Sequence, residues 1–300
     1  MEQVSTMDSF YTKLCERSGF DKDTVTNALE FAEKCDTDRM TSLLFKEKPK
    51  ILENKTVFFK DGFYPHEFFT FAREEIRKNV LCDETGFLYI YIALAKKAYS
   101  EFTELGFDDS IFFDTFEGIS RANTYHRKET GTDGIYDYLW LSGHLRANVI
   151  RIGAFEYQNG VFSFNEKPCA DGKTAKKGDM AVFLHVPFGT DFSKKSRHDS
   201  YKKASEIFGR KILVCDSWLL YPENAKMLPD YSNIRSFAED FLIFHVDKDN
   251  CFEDLHRIFG KNCDFSDLQS LPAKTSLQRL YISRLKAGLP SGSGAGIRVL

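Results

Sequence analysis

The sequence lacks the features that mark several classes of protein. It has no apolar run of about 18 residues, the length that a membrane-spanning helix needs. Its formal net charge is −3, whereas domains that bind nucleic acid usually carry a strong basic excess. The N-terminal stretch MEQVSTMDSFYTKLCERSGF is polar and lacks the apolar segment of a secretory signal. We therefore expect a cytoplasmic protein that binds neither nucleic acid nor a membrane.

Paired cysteine motifs are absent as well. The seven cysteines are odd in number and widely scattered, with no C-x-x-C and no close Cys/His pair. A disulfide framework or a structural zinc site would require such spacings. The sequence therefore predicts reduced thiols and no metal ion.

The composition that is present is that of a globular protein. The chain has 300 residues, of which 42% are hydrophobic and 28% are charged. Because a domain usually contains about 100–200 residues, this length predicts two domains. Phenylalanine is unusually common, with 29 residues, which indicates aromatic-rich cores.

The first part of the chain has the apolar spacing of amphipathic helices. The segments are DTVTNALEFAEKC, PHEFFTFAREEIRKNVL and FLYIYIALAKKAYSEFTELGF, the last of which meets Gly106 as a predicted C-cap. We predict a helical N-terminal domain over residues 1–120 and a second domain over 121–300. The division is expected near residues 110–135, with the acceptor site between the two parts.

The second part changes to strand patterns after one more helix, in YDYLWLSGHLRAN. Asn159-Gly160, between VIRIGAFEYQ and VFSFNE, predicts a type I′ hairpin turn because both residues tolerate a positive φ. A third strand, MAVFLHVP, is followed by alternating helices and strands, including HDSYKKASEIFG and KILVCDSWLLYP. The predicted fold class is α/β (α+β), with a mixed sheet and helices on both faces.

Several short sequence motifs identify a family more specifically than the apolar periodicity does. In chain order they are WLSGHL, RIGAFEY, HVP at 185–187, CDSWLLYP at 215–222, SNI at 232–234 and TSLQR at 275–279. Together they resemble a family of bacterial acyltransferase-domain proteins, which have a GNAT-like C-terminal domain behind a helical N-terminal domain. Two positions depart from the family pattern. Ala154 stands where a basic residue follows the Gly, and Phe188 makes the turn after Pro187 bulkier.

The resemblance implies an N-acyltransferase that uses acetyl-CoA or another acyl-CoA as co-substrate. In such a reaction a small amine-bearing acceptor attacks the acyl thioester directly. The alternative is a GNAT-like domain that has lost catalysis and serves as a ligand-sensing or protein-binding module. The absence of a Q/R-x-x-G-x-G/A pyrophosphate loop favours the alternative, whereas a basic loop before a predicted helix start favours the enzyme.

The catalytic candidates lie at the ends of two predicted strands. His185 ends an apolar strand and is the predicted base, because imidazole titrates near working pH. Asp216 interrupts the apolar run ILVCDSWLLYPE, and we expect it at the wet end of its strand, sharing a face with Val214 and Trp218. There it would orient His185 or hold the acceptor's cation. One crossover helix joins the two strands, which predicts parallel neighbours.

The remaining candidates concern CoA and the leaving thiolate. The resemblance implies that Tyr221 or Tyr231 protonates the thiolate. The CoA pyrophosphate is predicted to bind between Pro187 and a helix that starts near Asp199. The residues predicted to bind CoA are Val186, Gly189, Lys194, Lys195, Arg197 and Ser217. The open alternatives are a structural histidine at 185, turn-capping roles for Asp216 and Ser217, and a solvated basic loop. Trp140 and His144 are interpreted as core residues, and Ser232 as a helix cap.

Overall fold

The computed structural model describes residues 8–47, 51, 65–248, 253–260, 263–289 and 292–300. These residues divide into two compact units. The first unit comprises residues up to Val161 together with His185–Thr190, and the second comprises Phe162–Leu184 and Asp191–Leu300. The predicted boundary after residue 120 falls inside a helix that runs from Asp109 to Thr130.

The first unit contains eight helices within its described residues. They are α1 (Ser9–Ser18), α2 (Lys22–Ala32), α3 (Thr37–Leu44), α4 (His66–Lys78), α5 (Asp83–Ala93), α6 (Ala95–Glu104), α7 (Asp109–Thr130) and α8 (Tyr138–Leu145). Four helices begin after an aspartate whose carboxylate accepts a backbone N–H of the first turn, which satisfies a donor that the helix itself cannot. These aspartates are Asp8, Asp21, Asp36 and Asp108.

One predicted helix of the first unit is two helices. The segment FLYIYIALAKKAYSEFTELGF divides at Leu94, whose ψ of −1° departs from the helical value. Gly106 follows the second helix with a φ of 78°, as its predicted role at the helix end requires. The helical character of the first part of the chain is confirmed.

Aromatic side chains fill the core of the helical part. The ring of Phe112 lies 4.4 Å from that of Phe116 and 5.3 Å from that of Phe102, measured between centroids. Both partners are buried, as is Phe112 itself. Large aromatic groups contribute much buried area each, so the abundance of phenylalanine is explained by this packing.

The first unit also contains an antiparallel pair of strands, β1 (Val149–Ile152) and β2 (Phe155–Val161). The turn between them is at Gly153, whose φ is 62°, with Ile152 paired to Phe155. The prediction of a hairpin at Asn159-Gly160 is therefore wrong, since both residues lie inside β2. The Asn159 side chain is buried and donates a hydrogen bond to the backbone oxygen of Ile51.

The second unit has a mixed sheet. The described elements are β3 (Cys169–Ala170), β4 (Lys173–Thr174), β5 (Met180–His185), α9 (Lys194–Phe208), β6 (Ile212–Ser217), α10 (Pro222–Met227), α11 (Asn233–Ala238), β7 (Leu242–Asp247), α12 (Glu253–Phe259), α13 (Ser276–Lys286) and β8 (Ser293–Val299). The last residue of β5, His185, belongs to the first unit. The strands β5 and β6 are parallel, and β8 pairs antiparallel with both β6 and β7. This arrangement confirms the predicted mixed sheet and the parallel pairing of β5 with β6. The predicted cap Ser232 is also confirmed, because its hydroxyl accepts from the backbone N–H of Arg235.

The strand that contains Asp216 is shorter than predicted. β6 ends at Ser217, and the next residues, Trp218–Leu220, form a 3-10 helix. Trp218 therefore does not continue the strand face of Val214 and Asp216. The Ser217 hydroxyl accepts a hydrogen bond from the backbone N–H of Leu219 at 3.2 Å and so ends the strand by capping the turn.

Among the described residues, none of the helices combines the length and apolar character that crossing a membrane requires. The same residues contain no group of three or more His, Cys, Asp or Glu side chains placed to hold a metal ion.

Candidate active site

His185 is held from two sides within the first unit. Its Nε2 atom lies 3.0 Å from Oε1 of Gln158, a buried residue of β2. The ring of Trp140, on α8, meets the His185 ring edge-on, with centroids 4.7 Å apart. His185 itself is half-buried. An imidazole that is fixed in orientation but still reaches solvent fits the predicted base.

A second buried polar pair lies beside this histidine contact. Oε1 of Glu156 is 3.1 Å from Nε2 of His144, and both residues are buried. Neither ring nitrogen of His144 has a partner in hydrogen-bond geometry among the described residues, so the contact with Glu156 is an electrostatic one. Burial acts to raise the pKa of Glu156, but His144, and then His185 and Arg151, hold it below its ordinary value. Glu156 is therefore a buried carboxylate that is ionised at neutral pH.

The loop that follows His185 has a fixed backbone. The Thr190 hydroxyl contacts the backbone oxygens of Pro187, at 2.7 Å, and Ala154, at 3.1 Å. The Arg121 guanidinium donates to the backbone oxygen of Phe188 at 3.3 Å. Gly189 has a φ of 73°, a value that glycine adopts without strain. Val186 and Gly189, predicted to bind CoA, lie in this ordered loop of the first unit.

Phe188 is an exposed residue of this loop. Its side chain is 64% exposed and packs against the Tyr125 ring, with centroids 5.7 Å apart. The bulkier residue at this position is thus accommodated at the surface and leaves the loop backbone ordered.

The second unit contains the other catalytic candidates. Asp216 is exposed near the end of β6, opposite Ala295 of β8. It comes directly after the buried Cys215, so the apolar run emerges into solvent at this residue. The sequence predicts this position for the carboxylate, at a solvent-exposed end of its strand.

The two candidate tyrosines have opposite environments. Tyr221 is 1% exposed, and the Arg284 guanidinium lies 5.3 Å from its ring centroid. Tyr231 is 90% exposed. A proton donor for a thiolate has to reach the leaving sulfur. The buried hydroxyl of Tyr221 would do so only if the residues around it moved apart, and the exposed Tyr231 only if the bound substrates packed against it. Their roles stay predictions.

Helix α9 begins earlier than predicted. Its N-cap is Ser193, whose hydroxyl accepts from the backbone N–H of Ser196, so the start near Asp199 is wrong. Lys194 and Lys195 are therefore in the first helical turn, where both are exposed. Lys195 also contacts Asp199 at 2.8 Å, and this hydrogen bond raises the pKa of Lys195.

Arg197 is not at the surface with the two lysines. It is fully buried, and its Nε lies 2.8 Å from Oδ2 of Asp240. Its other nitrogens donate to the backbone oxygen of Phe192, at 2.7 Å, and the hydroxyl of Ser236, at 2.9 Å. The charge of the guanidinium is paired with that of Asp240, and the group has no access to solvent. Arg197 is therefore not available for the contact with the CoA pyrophosphate that the sequence predicts. We revise the role of Arg197 to that of joining α9 to α11 and the residues that follow it.

Sequence reasoning missed Gln158 and Glu156 and treated Trp140 and His144 only as core. A signal was present in the strand FEYQ, where the two polar residues alternate with Phe155 and Tyr157 and so share one face. Because both faces of β2 are buried at these positions, the polar face has a purpose other than solvation.

Comparison with known families matches almost the whole chain. The model of a family described as GNAT-like C-terminal domain matches residues 149–298. A second, described as N-acyltransferase N-terminal domain, matches residues 9–147. None of the curated proteins compared matches the chain.

Solved structures with the same fold include several acyltransferases. An acyltransferase mutant in complex with octanoyl-CoA is 19% identical, with a TM-score of 0.66, and the match covers 96% of this chain and 87% of that one. An acyltransferase in complex with decanoyl-CoA and teicoplanin is 18% identical, with a TM-score of 0.60 and coverage of 96% and 99%. A third, with CoA and 10C-teicoplanin, is 18% identical, with a TM-score of 0.60 and coverage of 96% and 98%.

Proposed function

Since the chain belongs to the family defined by the GNAT-like C-terminal domain, we propose that it is an acyl-CoA-dependent N-acyltransferase. The observation that carries the proposal is His185, a half-buried imidazole held by Gln158 and Trp140 at the end of an otherwise apolar strand. The solved structures of similar fold, which are complexes with octanoyl-CoA, decanoyl-CoA or CoA, support the same class of donor.

The proposed reaction is direct transfer. The acceptor's amine nitrogen attacks the thioester carbonyl carbon, and His185 takes the proton that the nitrogen loses. The carbon–sulfur bond then breaks, and the CoA thiolate leaves with a proton from an acid, for which Tyr221 and Tyr231 are the candidates. An amide and free CoA are the products, so atoms and charges balance without a metal or a redox partner.

The donor that we favour has a medium-length aliphatic acyl chain, because two acyltransferases of similar fold are in complex with octanoyl-CoA and decanoyl-CoA. For the acceptor, a small amine is one candidate. An amine carried on a glycopeptide is the other, and its support is the teicoplanin or 10C-teicoplanin in complex with two acyltransferases of similar fold. Both present a nucleophilic nitrogen to the same reaction.

Thermal melting with CoA, acetyl-CoA, octanoyl-CoA and decanoyl-CoA tests the donor. A ligand at about 100 times its Kd should add about 2.7 kcal/mol to the free energy of unfolding, which raises Tm. We expect a larger increase with the longer thioesters than with acetyl-CoA. If no thioester raises Tm, the alternative holds, and the chain is a catalytically inactive ligand-sensing or protein-binding module.

The first turn of α9 is the part of the second unit that we propose for the CoA phosphates. Helix N-termini attract anions, and Lys194 and Lys195 add two exposed positive charges there. Replacing both with Ala should weaken CoA binding several-fold at low ionic strength. The loss should shrink at about 1 M salt, where the Debye length falls to about 3 Å.

The matched control for this measurement is Lys202→Ala with Lys203→Ala. These two lysines are exposed on the same helix, beyond its first turn, so the control removes equal charge at a different place. Titration calorimetry of both double variants with CoA separates local contact from net charge. Equal affinities in the two variants would locate the phosphates elsewhere.

A further inference from the structure

The proposed mechanism does not use the buried pair formed by Glu156 and His144. Taking a carboxylate and an imidazole out of water is costly, and well-packed apolar residues often replace such a pair without loss of stability. Neither side chain reaches solvent, since His144 is 0% exposed and Glu156 is 5% exposed. The pair is therefore difficult to explain by packing alone.

The pair is built into the same framework as His185. Glu156 and Gln158 are two residues apart on β2, so their side chains point to the same face. Gln158 holds His185 at 3.0 Å. On α8, the Trp140 ring meets His185 with centroids 4.7 Å apart and His144 with centroids 6.0 Å apart. One strand face and one helix thus position both histidines.

The Glu156 carboxylate interacts electrostatically with both histidines, which helps to hold its pKa below the ordinary value. It therefore places a negative charge on the buried strand face that also carries Gln158. Inside a protein such a charge is weakly screened and acts over several ångströms.

We propose that Glu156 is a positioning residue for the transfer reaction: from the strand face that it shares with Gln158, its carboxylate favours the proton that His185 takes from the amine. The inference rests on the proposed function, because it assigns Glu156 a role through the candidate base. Glu156 itself would not touch the substrate.

Other charged groups near Glu156 contribute to the electrostatic potential at His185. Arg151 of β1 is buried and acts on Glu156, and it is in turn paired with Glu117 of α7 at 3.0 Å. Arg121 of α7 also contacts Glu117, at 2.7 Å. Two arginines therefore face two glutamates, Glu117 and Glu156, in this group. Loss of the Glu156 charge would leave the group with an excess positive charge, which disfavours a nearby imidazolium.

The test is a titration of the His185 ring by NMR in the full-length protein. The chain has seven histidines, and the His185→Gln spectrum identifies the signal. In Glu156→Gln the titration midpoint of His185 should move to lower pH by a few tenths to about one unit, because loss of a nearby negative charge disfavours the imidazolium. The acidic limb of the pH profile of kcat/KM should move in the same direction. Glu156→Asp, which keeps the charge, should leave both near their wild-type positions.

The matched control is Glu75→Gln. Glu75 is also a buried carboxylate of the first unit, but it contacts Lys78 and the backbone of Asp36. It should lose stability on replacement and leave the His185 midpoint unchanged. If Glu156→Gln does not fold, His144→Gln tests the same field, because it leaves the carboxylate charge in place, and the midpoint should then stay or rise.

The outcomes separate the two proposals. An unchanged His185 midpoint in Glu156→Gln, or a fall in His144→Gln, would overturn the role of Glu156 even if the protein is an active transferase. A protein that transfers no acyl group would overturn the proposed function, and the NMR titration would still measure the coupling between Glu156 and His185.

Discussion

Replacing His185 with Ala should lower kcat about 10²- to 10⁴-fold, the usual contribution of a positioned general base. The loss is expected in kcat because proton transfer occurs only as the amine attacks. His185→Gln should show a similar loss in kcat and a smaller loss in stability, since an amide can still contact Gln158, which is otherwise left buried without this partner. Steady-state kinetics and Tm for both variants measure the two effects separately.

Asp216→Asn provides a graded comparison. If Asp216 orients the base or holds the acceptor's cation, the substitution should cost less in kcat than loss of His185 and should mainly alter the pH–rate profile. Asp216 is exposed, so its replacement should leave Tm near the wild-type value. A well-folded His185→Ala protein with undiminished kcat would remove His185 from the mechanism.

Replacing Arg197 with Met should lower the free energy of unfolding by about 3–5 kcal/mol, the usual result of removing one partner of a buried ion pair. The cause is Asp240, whose side chain is 10% exposed and would lose the guanidinium that lies 2.8 Å away. The hydroxyl of Tyr201, 3.1 Å from the same carboxylate oxygen, and Nε2 of His198, 3.7 Å from the other oxygen, compensate for only part of this loss. Chemical denaturation measures the change directly.

The double variant Arg197→Met, Asp240→Leu distinguishes a lost partner from lost packing. Removal of both charges should recover much of the stability, because no uncompensated charge is left inside. Lys195→Ala, which breaks an exposed contact on the same helix, should have little effect on unfolding. Stability of Arg197→Met equal to that of Lys195→Ala would contradict the structural role of Arg197.

The predictions that succeeded depend on patterns that local physics enforces. A 3.6-residue apolar period is needed to bury one face of a helix, so the helical first part was readable from the sequence. A single crossover helix between two strands constrains them to be parallel neighbours, as found for β5 and β6. Ser232 caps its helix because a hydroxyl before the first turn has an unpaired N–H within reach.

The predictions that failed concern places where two nearby residues are equally suited to the same role, as a turn residue or as a helix cap. Both Gly153 and Gly160 can turn the chain, and burial of the Asn159 side chain against Ile51 favours the first. Ser193 and Asp199 can both cap α9, and nothing local indicates that Arg197 must lie in a buried turn of that helix. Such choices depend on residues distant in sequence, which periodicity does not reveal.

The candidate site was predictable only as separate residues. His185 is conspicuous at the end of an apolar strand, and Asp216 is conspicuous within one. Gln158 and Glu156 are not, because their importance depends on α8 placing Trp140 and His144 against the same strand face. Polar residues at alternate positions of a buried strand are the pattern that would have drawn attention to them.

The two tryptophans of the chain are divided equally between its compact units. Trp140 meets the His185 ring in the first unit, and Trp218 packs edge-on against Tyr281 in the second, with centroids 6.2 Å apart. Each unit thus carries one tryptophan. A protonated imidazole quenches indole emission, so in a chain that keeps Trp140 and lacks Trp218, emission intensity reads out the combined charge of His185 and of His144, whose ring centroid lies 6.0 Å from that of Trp140. In the reciprocal chain, Trp218 emission follows unfolding of the second unit.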